Sequence, residues 1–504
     1  MASFSPASFA GPRPRLVVGG ALALALPFLP GVAELAGPAR ATAGVAFFTA
    51  WCWLTGSLPL PVASLLPALL LPLTGALPAR VVAPFYFHDI LLLFLGGFVL
   101  ALALERYELH RRFALRALRL FGCRPRRVVL GFMLVGAALS MFISNTSTAL
   151  LMLPVALAVL DACAEEDAAR LGPPLLLAIA YSCSIGGTAT PIGTAPNGVL
   201  LGLLAERFPR APEIAFGTWV VGVVPFAAVF LLLTWLVLTR LIHRLPVEPV
   251  PGLEALRREG GLGRRRPAQT RVLAVFALTA VLWITRQGAD LGPVALPGWQ
   301  ALLPAAAAGS ISDATVALFG VFLLFILPGE DGRRTLLEWE DCRSLPWGVL
   351  LLLGGGFALA RACDRTGLSQ AIGDALAGGV GAAGPVRTVL LVSLAVTFLT
   401  EITSNTATIN LLLPLIFTAS AAAGVHPLLL ALPATLAVSC AFMLPVATPP
   451  NAILFGSGRL AIAQMARAGF VLNLLTAVVV TLFTFLWIAP RWGIDLAVFP
   501  AWAR

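Results

Sequence analysis

Two stretches, Ser140-Met141-Phe142-Ile143-Ser144-Asn145-Thr146 and Thr400-Glu401-Ile402-Thr403-Ser404-Asn405-Thr406, decide how this chain is read. Each begins with a hydroxyl residue, runs three residues and then reads Ser-Asn-Thr. Each leads into an apolar run closed by a proline, at 150–154 and 410–414. Patches of uncharged hydrogen-bonding groups this dense need a reason in a greasy sequence. Two of them, with their Ser-Asn-Thr triplets starting at 144 and 404, point to one site built from two halves.

The background is that of a membrane protein. The chain has 504 residues, 59% of them hydrophobic and 12% charged, with mean hydropathy +0.92. A soluble chain carries about 25% charged residues. Many apolar runs approach the roughly 20 residues that cross a bilayer as helix. They are continuous and rich in Leu and Ala, not the alternating strands of about 10 residues that build a barrel. The fold class is therefore all-α and polytopic. The net charge of +10 concentrates in short loops, the pattern of topology signals and not of nucleic-acid binding. The seven cysteines are scattered and read as small apolar fillers, with no metal site or disulfide framework. No HExxH or GxSxG occurs, and the hairpin serines have no histidine nearby in sequence, so no enzyme is indicated. The first apolar run reads as a retained span, not as a cleaved signal.

Spans are expected at about 15–36, 42–57, 59–76, 88–104, 217–241, 271–286, 313–328 and 466–489. An amphipathic surface helix with arginines between its apolar positions is expected over 105–120. Residues 128–143 make only about 24 Å of helix, short of a hydrocarbon core of about 30 Å. A second short arm follows the polar tip, so 128–164 reads as a re-entrant hairpin entering from the cytoplasm. Its tip is tolerable in a membrane only if it is buried in protein or faces water. In 174–205 the run Thr190-Pro191-Ile192-Gly193-Thr194-Ala195-Pro196-Asn197 interrupts the helix.

The second half echoes the first. Phe94-Leu95-Gly96-Gly97-Phe98 matches Leu353-Gly354-Gly355-Gly356-Phe357, and Glu105 matches Asp364. A second hairpin falls at 387–424, and Phe442-Met443-Leu444-Pro445-Val446-Ala447-Thr448-Pro449-Pro450-Asn451 repeats the broken helix. With the N-terminus inside, counting crossings puts the basic segments 106–127 and 243–271 in the cytoplasm and sends the second hairpin in from the other face. The repeats are thus inverted. Interrupted segments at matching positions of two halves point to a secondary transporter's binding site.

The tips supply hydroxyl, amide and backbone oxygens suited to a hard cation, and helix N-termini suited to an oxyanion. Alone, such a triplet is ordinarily helix glue or a cap, and a lone Thr-Pro loop is a kink. Paired and inverted, they read as a coordinating site. Gly193 and Ala447 are small enough for backbone carbonyls to reach an ion, with Thr194 and Thr448 beside them. Glu401, an acid inside a hairpin arm, either tunes a cation site or makes a structural hydrogen bond. Arg361 and Asp364 lie at a span end and are expected to snorkel or pair.

Over about 15–490 the chain resembles the divalent anion:sodium symporter family, the dicarboxylate, citrate and sulfate carriers. The paired Ser-Asn-Thr hairpins and Thr/Pro/Asn loops carry the resemblance, without departure. It implies a homodimeric elevator with scaffold and transport domains, about 11 transmembrane helices and two re-entrant hairpins. The implied partition is scaffold 1–127 and 271–384, transport 128–242 and 385–504, and a basic cytoplasmic loop 243–270. It maps one Na⁺ site to Ser140, Ser144, Asn145 and Gly193, and another to Thr400, Ser404, Asn405 and Ala447. Substrate carboxylates would meet Asn145, Thr146, Asn405 and Thr406, helped by Thr194 and Thr448. The implied function is Na⁺-coupled symport of a C4-dicarboxylate such as succinate, malate or fumarate, in a bacterial inner membrane. Sulfate or citrate carriage and sodium-independent exchange are the alternatives. No cofactor is implied beyond Na⁺ as coupling ion; the other partners are the small dianion and membrane lipid.

Overall fold

The computed structural model describes residues 12–109, 112–113, 116, 121–249, 266–290, 295–304, 310–330, 332–372, 384–496 and 498–503. Four elements open the chain: α1 (Pro12–Ala25), α2 (Gly37–Thr55), α3 (Leu60–Ala63) and α4 (Leu66–Leu73). The span expected at 15–36 is cut short. The helix ends at Ala25, because Pro27 and Pro30 remove amide donors, and Gly31 takes a left-handed turn at φ 84°. The span expected at 59–76 is two short helices divided at 64–65, with Pro61, Pro67 and Pro72 among them.

After a single turn, α5 (Ala79–Val82), comes α6 (Asp89–Arg106), close to the span expected at 88–104. The surface helix expected over 105–120 lies largely outside the described residues. A first helical hairpin follows, α7 (Pro125–Ser140) and α8 (Asn145–Asp161). Then α9 (Glu165–Thr188) begins nine residues before the start expected at 174. Glu165, Glu166 and Asp167 fill its first turn, where acids favour the positive helix end. After an unwound stretch come α10 (Ala195–Arg207) and α11 (Phe216–Leu236), the latter extended by a π-turn Val237–Ile242. Most of the basic loop at 243–270 lies outside the described residues.

In the second half α12 (Pro267–Thr285) is followed by a two-stranded ribbon, β1 (Gly288–Asp290) and β2 (Ala295–Pro297), the one sheet among the described residues. Next are α13 (Asp313–Ile326) and α14 (Trp347–Thr366). The second hairpin is α15 (Pro385–Leu399) and α16 (Asn405–Ala422). The second broken helix is α17 (Pro427–Val438) and α18 (Pro449–Phe455), and α19 (Ile462–Phe483) closes the core. Among the described residues, seven helical segments are long and apolar enough to cross a membrane.

The two halves interlock. The first arm of each hairpin packs on its own repeat's broken helix, α7 on α9 and α15 on α17. The piece after each break crosses over: α10 packs on α16 and α17, and α18 on α8 and α9. One continuous apolar core runs through both halves. Helices α2, α3, α4 and α6 pack against α14, and α6 and α12 against α13.

Two polar clusters tie this assembly. Arg207 pairs with Asp364, and Arg361 with Glu206 at 3.2 Å, cross-linking the ends of α10 and α14; the acid and base expected at that span end are paired. Arg286, fully buried, donates to Asp313 at 2.7 Å and to the Ile311 carbonyl at 2.9 Å, and pairs with Glu213. Asp313 in turn accepts from the Phe216 amide at 2.6 Å, fastening the start of α11 to α12 and α13.

Candidate functional site

The hairpin tips are turns closed by caps. Ser144 Oγ accepts from the Ser147 amide at 3.1 Å, and Ser404 Oγ from the Ala407 amide at 3.5 Å. These caps start α8 and α16 at the asparagines. A helix's first amides have no intrahelical acceptor, and the caps satisfy only Ser147 and Ala407. Asn145 and Thr146, and Asn405 and Thr406, thus hold their amides at the two tips.

The unwound stretches are organised by a matched pair that sequence reasoning quoted but gave no role. Asn197 Nδ2 donates to the carbonyls of Gly187, Thr188 and Thr190, at 3.1, 3.3 and 2.7 Å. Asn451 Nδ2 donates to those of Ala441 and Leu444, at 3.2 and 3.1 Å. Their matching places at the end of the two Thr/Pro loops were the available signal. The second break opens at 439, not at 442 as expected. There the amides of Phe442, Met443 and Leu444 go to the Glu401 carboxylate, at 2.7, 2.9 and 3.0 Å, in place of helix carbonyls. Asn473 Nδ2 adds a bond at 2.7 Å. Of the two roles open to Glu401, the structural hydrogen bond is the one observed. Tyr181 Oη donates to the Phe442 carbonyl at 2.8 Å and steadies the same stretch.

Of the residues expected to hold cations, Ser140, Asn145 and Gly193 gather in one oxygen nest and Thr400 and Asn405 in another, whereas Ser144 and Ser404 are the helix caps and Ala447 lines the cavity beside them. In the first, the Ser140 hydroxyl donates to Asn145 Oδ1, and the Thr190 hydroxyl to the Met141 carbonyl. The Gly193 amide donates to Thr190 Oγ1 at 3.1 Å. A Cβ on Gly187 would stand 2.7 Å from Asn145 Oδ1 and 3.2 Å from the Gly193 carbonyl oxygen. One on Gly193 would meet the Gly187 and Met141 carbonyl oxygens at 2.5 and 3.0 Å. Oxygens thus converge on a volume that glycine alone leaves open, a donor set suited to Na⁺. In the second nest Thr400 Oγ1 lies 2.5 Å from Asn405 Oδ1 and 3.0 Å from the Val438 carbonyl oxygen. The Ala447 amide is held by the Leu444 carbonyl at 3.2 Å.

One cavity of about 1240 Å³ joins these parts. Its walls include residues 144–146, 193–194, 404–406 and 447–448. Ser140 and Thr400 are fully buried behind the tips. Four helices, α8, α10, α16 and α18, start at this cavity and turn positive ends toward it. They are not equivalent. Pro196, Pro449 and Pro450 strip amides from the first turns of α10 and α18, whereas the hairpin arms keep theirs. The two hairpin tips therefore present more backbone donors to the cavity than α10 and α18 do. The Thr194 side chain makes no cap bond, whereas Thr448 Oγ1 accepts from the Asn451 amide at 3.3 Å.

Arg15, Thr55, Gly56, Ser344 and Pro346, near the ends of α1, α2 and α14, also line the cavity. Ser344 Oγ donates to the Asp341 carbonyl at 2.9 Å, and Asp341 pairs with Arg106. This part of the lining is thus linked through Asp341 to Arg106. In sequence Arg15 only flanks the first apolar run, and nothing local places it on this cavity.

Comparison with known proteins fits this architecture. The family model described as the sodium:sulfate symporter transmembrane region matches residues 14–492. A sodium-dependent dicarboxylate transporter of Staphylococcus saprophyticus is 39% identical over 90% of this chain and 86% of its own. That of Staphylococcus aureus strain NCTC 8325 is 38% identical over the same shares. The solved structure of the YdaH transporter from Alcanivorax borkumensis superposes with a TM-score of 0.52, at 14% identity, covering 79% of this chain and 84% of that one. These relatives are transporters, not enzymes.

Proposed function

The chain is an integral membrane protein of the sodium:sulfate symporter family, and from that premise we propose that it carries a C4-dicarboxylate such as succinate, malate or fumarate across the membrane, coupled to Na⁺. The observation that carries this reading is the single cavity onto which two capped, uncharged hairpin tips both open. Each tip offers an asparagine side chain and two first-turn amides, enough for one carboxylate, and two tips match a molecule with two. The dicarboxylate transporters among the relatives support the same substrate class.

Na⁺ would be held by Ser140, Ser144, Asn145 and Gly193 at one nest, and by Thr400, Ser404, Asn405 and Ala447 at the other. Bound there, it supplies positive charge next to Asn145 and Asn405, whose amides then meet the anion with Thr146 and Thr406. Thr194 and Thr448 border the same space. Sites made only of neutral donors hold a dianion weakly, so the tips depend on the cation. That dependence is the coupling. The serines and threonines orient the asparagines: a hydroxyl donating to each Oδ1 leaves the Nδ2 group to turn toward the substrate.

The hairpins are proposed as re-entrant and the repeats as inverted, with α7–α11 and α15–α19 forming a transport body that slides past a scaffold of α1–α6 and α12–α14. The N-terminus is placed in the cytoplasm, the side of the arginines, so the part of the cavity lined by Arg15 faces the cytoplasm of a bacterial inner membrane. The assembly is proposed as a homodimer.

The test is uptake of radiolabelled succinate into proteoliposomes under an inward Na⁺ gradient. Uptake that collapses when choline replaces Na⁺ supports the reading. Undiminished uptake in choline would turn it into sodium-independent exchange, and uptake of sulfate with none of succinate would reassign the substrate.

A further inference from the structure

We propose that Arg15 forms a second anion subsite in the wall of the cavity, engaging one carboxylate of the dianion as it passes between the central site and the face that carries Arg106. This rests on the dicarboxylate reading above. Among the described residues lining the cavity, Arg15 is the one charged side chain, and none is acidic. The central tips are neutral, so this guanidinium is the cationic group a departing dianion meets in the cavity wall.

Its placement is built. Arg15 sits in α1, half-buried. Its carbonyl accepts from Trp51 Nε1 at 2.9 Å, and its Nη1 donates to the Thr55 carbonyl at 3.3 Å. The first bond holds the first turn of α1 against the end of α2, and the second holds the guanidinium beside Thr55 in the cavity wall. Thr55 and Gly56, the end of that same helix, line the cavity with it. Arg13, two residues earlier, is exposed and does not line the cavity, so charge near the chain start is not the distinguishing feature.

The chemistry follows from the fork of a guanidinium, which meets a carboxylate side by side. A charge set in a cleft with low-dielectric walls focuses its field on the opening and raises the local concentration of anions. Because Arg15 is partly exposed, the attraction is screened by salt. Arg15 thus sets the apparent affinity for dianions from this face, and makes it depend on ionic strength. It leaves the Na⁺ nests alone.

The experiment uses everted membrane vesicles, which present the face of Arg106 outward. The apparent KM for succinate is measured at fixed Na⁺, with ionic strength raised by choline chloride, for wild type, Arg15→Gln and Arg15→Lys. Each variant is first confirmed as folded by its melting temperature. The expected result is a wild-type KM that rises with choline chloride. Arg15→Gln should show a KM about three- to tenfold higher at low salt and flat with added salt, with unchanged Na⁺ activation. Arg15→Lys should keep the salt dependence. Arg15→Gln with wild-type KM and salt slope would overturn the subsite. So would Arg15→Lys failing as Arg15→Gln does, since the bond to Thr55 and not the charge would then be what matters. Wild-type vesicles without Na⁺-driven succinate uptake would instead overturn the dicarboxylate reading on which the subsite stands.

Discussion

Glu401 uses both carboxylate oxygens on its surroundings: Oε1 takes the amides of Phe442 and Met443 and the Asn473 side chain, and Oε2 takes the Leu444 amide. An acid that accepts four bonds inside an apolar protein is an anchor for the unwound backbone. Removing it strands three amides, of which that of the buried Phe442 costs about 1–3 kcal/mol when unpaired and the half-buried Met443 and Leu444 less. Glu401→Ala should therefore lower the melting temperature sharply. Glu401→Gln, which keeps one acceptor oxygen, should fall between Ala and wild type while the Na⁺ concentration for half-maximal uptake stays put. A large shift of that Na⁺ concentration in Glu401→Gln would restore the carboxylate as a cation ligand. The tips were legible in sequence because Ser, Asn and Thr stand out against Leu and Ala. The partners of Glu401 were not, because nothing local links it to Phe442, some forty residues on, or to Asn473. The same holds for Arg15, whose neighbours Trp51 and Thr55 belong to another helix.

The hairpins and broken helices were legible as elements because proline, glycine and arm length punctuate them. The arms expected within 128–164 and 387–424 appear as Pro125–Asp161 and Pro385–Ala422. The boundaries that slipped, at Ala25, Glu165 and 439, were set by proline spacing, first-turn acids and a tertiary carboxylate, which outweigh hydropathy. The nests are also unequal at this scale, with glycine at 193 and alanine at 447. Gly193→Ala would place a Cβ 2.5 Å from the Gly187 carbonyl oxygen and 3.0 Å from the Gly187 Cα, where backbone must move. It should raise the half-maximal Na⁺ concentration at least about tenfold, equivalent to about 1.4 kcal/mol. Ala447→Gly should stay near wild type, because the second nest already accommodates a methyl and loses only that. Equal effects of the two substitutions on Na⁺ activation would show that the first nest holds no cation.

Over the whole molecule, the exchange of α10 and α18 between repeats joins the two hairpins and the two broken helices into a single body. The sequence repeat announced that pairing, but not the cross-packing, which depends on contacts between residues more than 200 positions apart. Where that body meets the rest of the chain, Phe142 at the first tip packs edge-on against Phe276 of α12, with ring centres 4.8 Å apart. In the sliding proposed above, this contact must break on every cycle. Cysteines placed at 142 and 276, in a background cleared of the seven native ones, should stop uptake when joined by a short thiol cross-linker and regain it when the link is reduced. Full uptake with complete cross-linking would rule out relative motion at this contact.

Each of the two tips is proposed to hold one carboxylate with the help of Na⁺. The direct measurement is equilibrium binding of radiolabelled succinate to the purified protein, in Na⁺ and in choline, for wild type, Asn145→Ala and Asn405→Ala. The account predicts binding by wild type in Na⁺ only, and its loss in each variant with melting temperatures that show both folded. Wild-type binding that persists in choline, or succinate held equally well by both alanine variants, would contradict it.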